Sequence, residues 1–214
     1  MGNIVVATVL TVAIAWGVSG CAPAGSGDSD GTRVAFYGDS YTLGTGASGT
    51  EQRWSTIVSA ERDWNEFNPS VNGLGFVNNR SSSRDLPGEI IASEPEIVFV
   101  TMGLNDNFSF DSSAGRIESQ ITVDLERLAD ALPEARFIVV EPFWYTDERP
   151  ASVDIINGWV RDAAESIGAD HIAGASRWLE GHPEWMADDG LHPNDEGHAE
   201  MAERMDAELT ALGL

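Results

Sequence analysis

The sequence contains no lysine, because all twelve residues counted as Lys or Arg are arginines. That absence excludes catalysis through a lysine Schiff base, a P-loop with its phosphate-binding lysine, and a serine–lysine dyad. Positive charge of any kind is scarce, since twelve arginines stand against 35 acidic residues and the net charge is −23. Such a field repels phosphate backbones, so we expect no nucleic-acid partner and read most of the acidic excess as a solvated surface.

Cysteine is nearly absent too. The chain has one, Cys21, so it cannot form a disulfide within itself. Cys21 follows an apolar segment, residues 4–18, that is too short for a confident membrane span and looks like the hydrophobic region of a signal peptide. Val18-Ser-Gly-Cys21 resembles a bacterial lipobox, in which cleavage leaves the cysteine as a lipid-bearing N-terminus. The alternative is a free cysteine in an uncleaved N-terminal anchor.

The lipobox reading divides the chain into three parts. We predict a lipoprotein signal peptide over residues 1–20, a flexible tether rich in Gly, Ser, Asp and Pro over 21–31, and a single domain over 32–214. The protein is then expected outside the cytoplasm, anchored to the outer face of the cell membrane by lipidated Cys21, or otherwise secreted. Contact with the membrane is expected only through this lipid.

Strand-like and helix-like segments alternate through the predicted domain. Strands are predicted at 32–40, 97–102, 135–140 and 171–175, with a weak strand signal at the start of 67–79. Helices are predicted at 51–64, 87–93, 114–132, 153–167 and 194–212. This alternation predicts an α/β fold, a three-layer α/β/α sandwich with a parallel sheet of about five strands in flavodoxin-like order.

The end of the first predicted strand carries the strongest candidate for chemistry. The apolar run that begins at Val34 stops at Gly38-Asp39-Ser40, and small residues follow as far as Gly44. Open α/β sheets place their chemistry beyond the carboxyl ends of the strands, where a serine hydroxyl could be exposed. The alternative is that Ser40 merely caps the next helix.

Two later segments carry side chains that would complement a serine nucleophile. Asp189 and His192 are three residues apart, so the carboxylate can reach one imidazole nitrogen while the other nitrogen points elsewhere. A serine hydroxyl needs such an oriented base to become a nucleophile. Asn105, after the strand at 97–102, could supply an amide donor to a developing oxyanion, or could instead support a turn.

Three motifs in this order resemble blocks I, III and V of the SGNH/GDSL hydrolase superfamily: Gly38-Asp-Ser-Tyr-x-x-Gly44, Gly103-x-Asn-Asp106 and Asp189-Gly-x-His-Pro-x-x-x-Gly197. The resemblance extends from Thr32 to the C-terminus. It implies the SGNH hydrolase fold with Ser40 as nucleophile, His192 as base and Asp189 as its orienting carboxylate. It also implies an oxyanion hole formed by the backbone N–H of Ser40, the side chain of Asn105 and the backbone N–H of a block II glycine.

The block II glycine is ambiguous in this sequence. The family pattern is an asparagine followed five residues later by the glycine, which from Asn68 selects Gly73. Gly75 is the alternative, and a turn glycine without a catalytic role is a third reading. Four aromatic residues lie on predicted loops near strand ends, where they could line a substrate pocket or pack in the core: Phe143, Trp144, Trp178 and Trp185.

We therefore expect a serine ester hydrolase that acts on carboxylic esters through an acyl-enzyme. Its substrate would be a small-molecule, lipid or acylated-carbohydrate ester. No cofactor is expected, and no metal, because His, Asp and Cys nowhere show metal-ligand spacing. The alternatives are an O-acyltransferase that uses the same triad on cell-surface carbohydrate, and a catalytically silent carbohydrate-binding lipoprotein. His198, on the last predicted helix, is expected at the surface or in a cap.

Overall fold

The computed structural model describes residues 1–2 and 31–214. Within this part of the chain the strands are β1 (Arg33–Tyr37), β2 (Asn65–Phe67), β3 (Ile97–Val100), β4 (Arg136–Val140) and β5 (Asp170–Ile172). The α-helices are α1 (Ser40–Leu43), α2 (Trp54–Glu61), α3 (Leu86–Ala92), α4 (Phe110–Ala131), α5 (Ala151–Ser166) and α6 (Asp195–Ala211). Short 3-10 helices cover Thr50–Gln52, Leu104–Ser109, Ala175–Arg177 and Pro183–Trp185.

The strands form a parallel sheet in the order β2-β1-β3-β4-β5. Val34 on β1 lies opposite Ile97 on β3, which in turn lies opposite Arg136 on β4. The flavodoxin-like order predicted from the sequence is therefore confirmed. Because the chain moves from β1 to β2 on one side and returns to β3 on the other, the order reverses beside β1. In open α/β sheets ligands bind in the crevice at such a point, here the carboxyl ends of β1 and β3.

Helices cover both faces of the sheet, as the near-continuous apolar strands require. Successive side chains of a strand point to opposite faces, so Val34 and Phe36 pack on one side with α2 and α6. Ala35 and Tyr37 pack on the other side with α3, α4 and α5. These two buried layers hold the sheet in place and position the loops at its carboxyl edge.

Three local features differ from the sequence-based expectation. A short helix, α1, follows β1 directly where a loop was predicted from residue 42, because the Asp39 side chain caps its first turn and Gly44 ends it in the left-handed conformation. α4 begins at Phe110, four residues before the predicted start at 114. His198 is fully buried, not at the surface, because α6 packs that face against the sheet and the α1 segment.

The N-terminal predictions fall almost entirely outside the described residues. Residues 3–20 of the predicted signal peptide, together with Cys21, lie outside the described residues, so lipidation stays a prediction that mass spectrometry of the mature N-terminus would check. Among the described residues, no helix is both long enough and apolar enough to cross a membrane.

Candidate active site

Ser40 is the first residue of α1 and lies at the carboxyl end of β1. The turn before it depends on Gly38, since an added Cβ there would lie 2.5 Å from the Thr42 Cβ and 2.6 Å from the Thr101 hydroxyl oxygen. Asp39 caps the helix by accepting the Tyr41 N–H at 3.0 Å. Ser40 is 4% exposed. Within residues 31–214 neither its hydroxyl nor its backbone N–H makes a hydrogen bond, so both are free to act on a substrate.

Asp189 and His192 form a hydrogen-bonded pair in the loop before α6. The Asp189 Oδ2 lies 2.7 Å from the His192 Nδ1. The other carboxylate oxygen accepts the backbone N–H groups of Leu191 and His192, each at 2.9 Å. The hydrogen bond from the His192 side chain, followed by those two backbone bonds, lowers the pKa of Asp189 to about 2. The carboxylate thus stays charged at neutral pH and holds the imidazole through Nδ1, while the His192 Nε2 has no hydrogen-bond partner within residues 31–214.

Tyr41 connects the Ser40 helix to the His192 loop. Its hydroxyl donates a hydrogen bond of 2.7 Å to the Leu191 carbonyl oxygen, and its ring centroid is 6.1 Å from that of His192. The Tyr41 ring also stacks on Phe143, with centroids 5.7 Å apart. Because Tyr41 follows Ser40 directly, these contacts bring the Asp189–His192 pair to the edge of the sheet that carries the serine.

The turn after α1 packs on the same loop. Gly46 has φ of +95°, and an added Cβ would lie only 2.2 Å from the Pro193 carbonyl oxygen and 3.1 Å from the His192 Cβ. Ser48 fastens the turn to α6, because its backbone N–H and its hydroxyl each donate to an Asp195 carboxylate oxygen at 2.6 Å. Backbone and side-chain contacts together therefore fix the position of His192.

Asn105 lies at the carboxyl end of β3, beside the turn that carries Ser40. Its side-chain nitrogen donates to the Asp39 Oδ2 at 3.1 Å and to the Leu74 carbonyl oxygen at 3.0 Å. Asp39 is fully buried, and burial is the main cause that raises its pKa to about 7. The structure thus brings Ser40 and Asn105 to one crevice, with the Asn105 amide held between a buried carboxyl group and a backbone carbonyl.

Asp106 organises the neighbouring loop. Its carboxylate accepts the backbone N–H groups of Phe76 at 2.7 Å, Val77 at 2.8 Å and Asn78 at 3.1 Å. Gly75 fits against this carboxylate only because it lacks a side chain, since an added Cβ would lie 2.5 Å from the Asp106 Oδ2. The sequence reading missed this contact, although the residue pair Asn105-Asp106 stands in the motif that carried the resemblance.

The two candidate block II glycines differ in what their backbone N–H groups do. Gly75 donates its N–H to the Asn78 carbonyl oxygen at 2.9 Å. Gly73, with φ of +70°, has no acceptor for its N–H within residues 31–214. Asn68 fastens the start of this loop, because its side chain donates to the Thr42 carbonyl oxygen at 2.7 Å. Of the two, only Gly73 keeps a donor available for a ligand.

The family model of the GDSL-like Lipase/Acylhydrolase family matches residues 36–200, which is well over half of the chain and includes the motifs that begin at Gly38, Gly103 and Asp189. The chain belongs to this family. A GDSL lipase of Mycobacterium tuberculosis is 26% identical to it over 192 residues, covering 80% of this chain and 79% of the relative. This GDSL-family protein is accordingly a hydrolase that acts on ester bonds, and small-molecule esters are the substrates that such a family suggests.

Solved structures share the fold of this GDSL-family chain. The psychrotrophic esterase EstA from Pseudoalteromonas sp., in a structure inhibited by monoethylphosphonate, matches with a TM-score of 0.67 and 16% identity, covering 85% of this chain and 98% of its own. A family two carbohydrate esterase from Cellvibrio japonicus matches with a TM-score of 0.67 and 15% identity, covering 83% of this chain and 60% of its own. At these identities the matches show the fold alone, which is the SGNH hydrolase fold.

The four aromatic residues that the sequence placed near strand ends are part of the hydrophobic core of this GDSL-family domain. They are at most 9% exposed and belong to the buried cluster on the α2/α6 side of the sheet: Phe143, Trp144, Trp178 and Trp185. The interpretation of these side chains as pocket walls is not supported. Open space lies beside the His192 loop instead, in a cavity of about 580 Å³ whose walls include Tyr145, Met186 and Asp188.

No group of three or more His, Cys, Asp or Glu side chains that could hold a metal ion occurs among the described residues. His198 is a buried histidine that belongs to no such group among the described residues. Its Nε2 is 3.4 Å from the Thr45 carbonyl oxygen, whereas its Nδ1 is buried without a partner in residues 31–214. Burial is the main cause that lowers its pKa to about 4.

This buried imidazole predicts an acid-sensitive contribution to stability. The folded-state pKa of His198 lies below the unfolded value of about 6.5, so the unfolded chain takes up the proton first as pH falls. Stability is therefore lost between about pH 6.5 and pH 4, by up to about 3 kcal/mol from this group. In a His198→Gln variant, the free energy of unfolding measured in urea should differ less between pH 7 and pH 4 than it does in the wild type.

Asp39 has the opposite effect on stability. Its pKa is raised in the folded state, so the folded chain still binds a proton that the unfolded chain releases above about pH 4. The contribution of this group to stability therefore increases as the pH falls. That slope is common to the wild type and the His198→Gln variant, so the difference between the two proteins isolates His198. Parallel pH profiles of the two unfolding free energies would contradict the assignment.

Proposed function

We propose that this chain hydrolyses carboxylic esters through an acyl-enzyme formed on Ser40. The observation that carries the proposal is the 2.7 Å contact between Asp189 and His192, on a loop that Tyr41 fastens to the helix beginning at Ser40. A serine hydroxyl needs a base whose tautomer is set by a third group, and this arrangement supplies both.

The proposed reaction has two halves. His192 Nε2 takes the Ser40 proton as the hydroxyl oxygen attacks the ester carbonyl, and Asp189 stabilises the imidazolium through Nδ1. The imidazolium then returns the proton to the leaving alcohol, and an acyl ester remains on Ser40. Water, activated by His192 in the same way, releases the acid and restores the hydroxyl.

The oxyanion hole in this proposal combines three donors. The backbone N–H groups of Ser40 and Gly73 are free within residues 31–214, and the Asn105 amide donates to the buried Asp39 and to the carbonyl oxygen of Leu74, the residue after Gly73. Both Asn105 amide hydrogens already have acceptors, so the contact with the Leu74 carbonyl oxygen is shared with the oxyanion as charge develops there. Such donors act on the transition state more than on the bound ester.

The space beside His192 favours substrates without negative charge. The walls of the 580 Å³ cavity include the carboxylates Asp147, Glu148 and Asp188, and no arginine. An ester that carries negative charge would be repelled near the His192 loop, whereas a neutral ester would not. We therefore propose small neutral esters, including acylated carbohydrates, as the substrate class.

The test is turnover of p-nitrophenyl acetate with and without an added sugar acceptor. We expect acetate as the main product in both cases. Mass spectrometry of acid-quenched enzyme should show one acetyl group on the peptide that contains Ser40. Transfer of most acetyl groups to the sugar would instead identify an acyltransferase, and turnover without any acyl-enzyme would contradict the two-step mechanism.

A further inference from the structure

A second cavity lies on the α4 side of the domain, away from the His192 loop. Its volume is about 590 Å³, and it opens between the segment 76–82 and one face of α4. Its polar wall is formed by six side chains: Arg80, Ser81, Ser82, Arg116, Ser119 and Gln120. No carboxylate of residues 31–214 lines it, although acidic residues outnumber arginines 35 to 12 in the chain. The cavity is therefore a local exception to the charge of the protein.

Arg116 is the exposed cation of this cavity. Within residues 31–214 it makes no ion pair and no hydrogen bond, whereas the other eleven arginines each have a carboxylate within 4.0 Å. Arg116 is exposed on α4. The neighbouring Gly115 borders open space, since a Cβ added to it would meet nothing within 4 Å. A guanidinium left unpaired in so acidic a chain has its full charge available for an anionic ligand.

Arg80 is the fixed cation. Both terminal nitrogens of its guanidinium donate to the Asp124 carboxylate, which is 1% exposed and also accepts the Tyr37 hydroxyl at 2.6 Å. A further donation goes to the Phe76 carbonyl oxygen at 3.1 Å. Guanidinium has five N–H donors, so the Nε hydrogen and one Nη2 hydrogen have no acceptor within residues 31–214. The buried carboxylate thus holds a planar donor in one orientation at the cavity wall.

Hydroxyl and amide groups complete a wall that consists mainly of donors. Ser119 and Gly115 are one turn apart on α4 and leave room for a ligand between them and the facing segment. Ser81 and Ser82 lie on that segment, and Gln120 donates to Asp124 at 2.9 Å, which turns its carbonyl oxygen away from that carboxylate. Two guanidinium groups and several hydroxyls match the acceptor oxygens of a tetrahedral oxyanion.

We propose that this cavity binds the phosphate group of a ligand, with Arg116 closing on it as a bidentate partner and Arg80 as the fixed donor. The site is separate from the ester-cleaving centre, since none of its wall residues belongs to that centre. The phosphate could belong to a soluble molecule or to a lipid head group. The strongly acidic surface favours the soluble source, because a membrane rich in anionic lipid repels the rest of the domain.

The experiment is a calorimetric titration with inorganic phosphate, against sodium chloride at the same ionic strength. We expect saturable binding by the wild type, at least about tenfold weaker binding by Arg116→Gln, and no change in Arg161→Gln. Arg161 is an exposed arginine on α5 that pairs with Asp162 outside the cavity, so the two variants have the same net charge. Absence of saturable binding, or equal effects of the two substitutions, would overturn the proposal.

A steric variant tests the location without a change of charge. Ser119→Trp should fill the cavity from the exposed face of α4 and abolish phosphate binding, and wild-type affinity in this variant would overturn the assignment. Co-sedimentation with phosphatidylglycerol and phosphatidylcholine vesicles then distinguishes the sources. Arg116-dependent binding to phosphatidylglycerol alone identifies a head group, and no vesicle binding identifies a soluble phosphate. Ser40→Ala should bind phosphate as the wild type does, so this proposal and the proposed ester hydrolysis can fail independently.

Discussion

Ser40→Ala is expected to lower kcat for ester hydrolysis by at least about 10⁴-fold while the protein stays folded. The loss is large because no acyl-enzyme can form without the hydroxyl, and only the oxyanion hole and substrate binding remain. The fold should survive because the Ser40 hydroxyl makes no hydrogen bond within residues 31–214 and the helix cap comes from Asp39. Steady-state kinetics and thermal unfolding of the purified variant measure the two effects.

Ser59→Ala is the matched control for this variant. Ser59 is also a buried serine, 3% exposed, whose hydroxyl has no partner among the described residues, but it lies on α2 away from the crevice. It should keep the kcat of the wild type. Labelling with a fluorophosphonate adds an independent check, because the adduct should form on the peptide that contains Ser40. An adduct on a different serine would contradict the assignment of Ser40 as the nucleophile.

Asn105→Ala is expected to lower kcat by about 10²–10³-fold, which corresponds to roughly 3–4 kcal/mol of transition-state stabilisation. KM should change little, because the amide acts on charge that exists mainly in the transition state. A purely structural role gives a different result. If Asn105 only connects Asp39 to the Leu74 carbonyl oxygen, the variant should lose stability and the folded enzyme should keep its kcat.

Asn107→Ala separates these readings. Asn107 lies on the same 3-10 helix, two residues further on, and its side-chain oxygen accepts a hydrogen bond from the Ser152 hydroxyl. The Asn107→Ala substitution should lower the stability of the protein by the amount typical of one lost side-chain hydrogen bond, and it should leave kcat unchanged. Equal kcat values for Asn105→Ala and Asn107→Ala would exclude Asn105 from the oxyanion hole.

The sequence alone was sufficient for the features that depend on neighbouring residues. Apolar runs that end in small or polar residues predicted β1, β3 and β4, and their alternation with helical periods predicted the parallel sheet that the structure confirms. The spacing of Asp189 and His192 also belongs to this class, because the three peptide units between them limit how far apart the carboxylate and the imidazole can be. The three motifs that begin at Gly38, Gly103 and Asp189 are short and local as well, and together they indicated the family that the family model shows.

Features that depend on distant parts of the chain were decided by the tertiary structure. Asp106 holds the backbone of residues 76–78 from 28 to 30 positions away, and Tyr41 reaches the Leu191 carbonyl oxygen from 150 positions away. No local pattern encodes such contacts, which is why the roles of Gly46 and Gly75 as close-packed backbone could not be predicted. The burial of Phe143 and Trp178 depends in the same way on where their loops pack.

The same division applies to charge. Composition determined that the protein is strongly acidic, but it could not show that Arg116 has no carboxylate partner within residues 31–214 or that a buried Asp124 orients Arg80 at the same cavity. Net charge is a sum over residues, whereas the potential in a cavity depends on which side chains folding brings within a few ångströms of each other. The sequence thus determined the fold class, the family and the candidate residues for chemistry. Only the packing of distant segments decided which side chains meet, which are buried, and where an anion can bind.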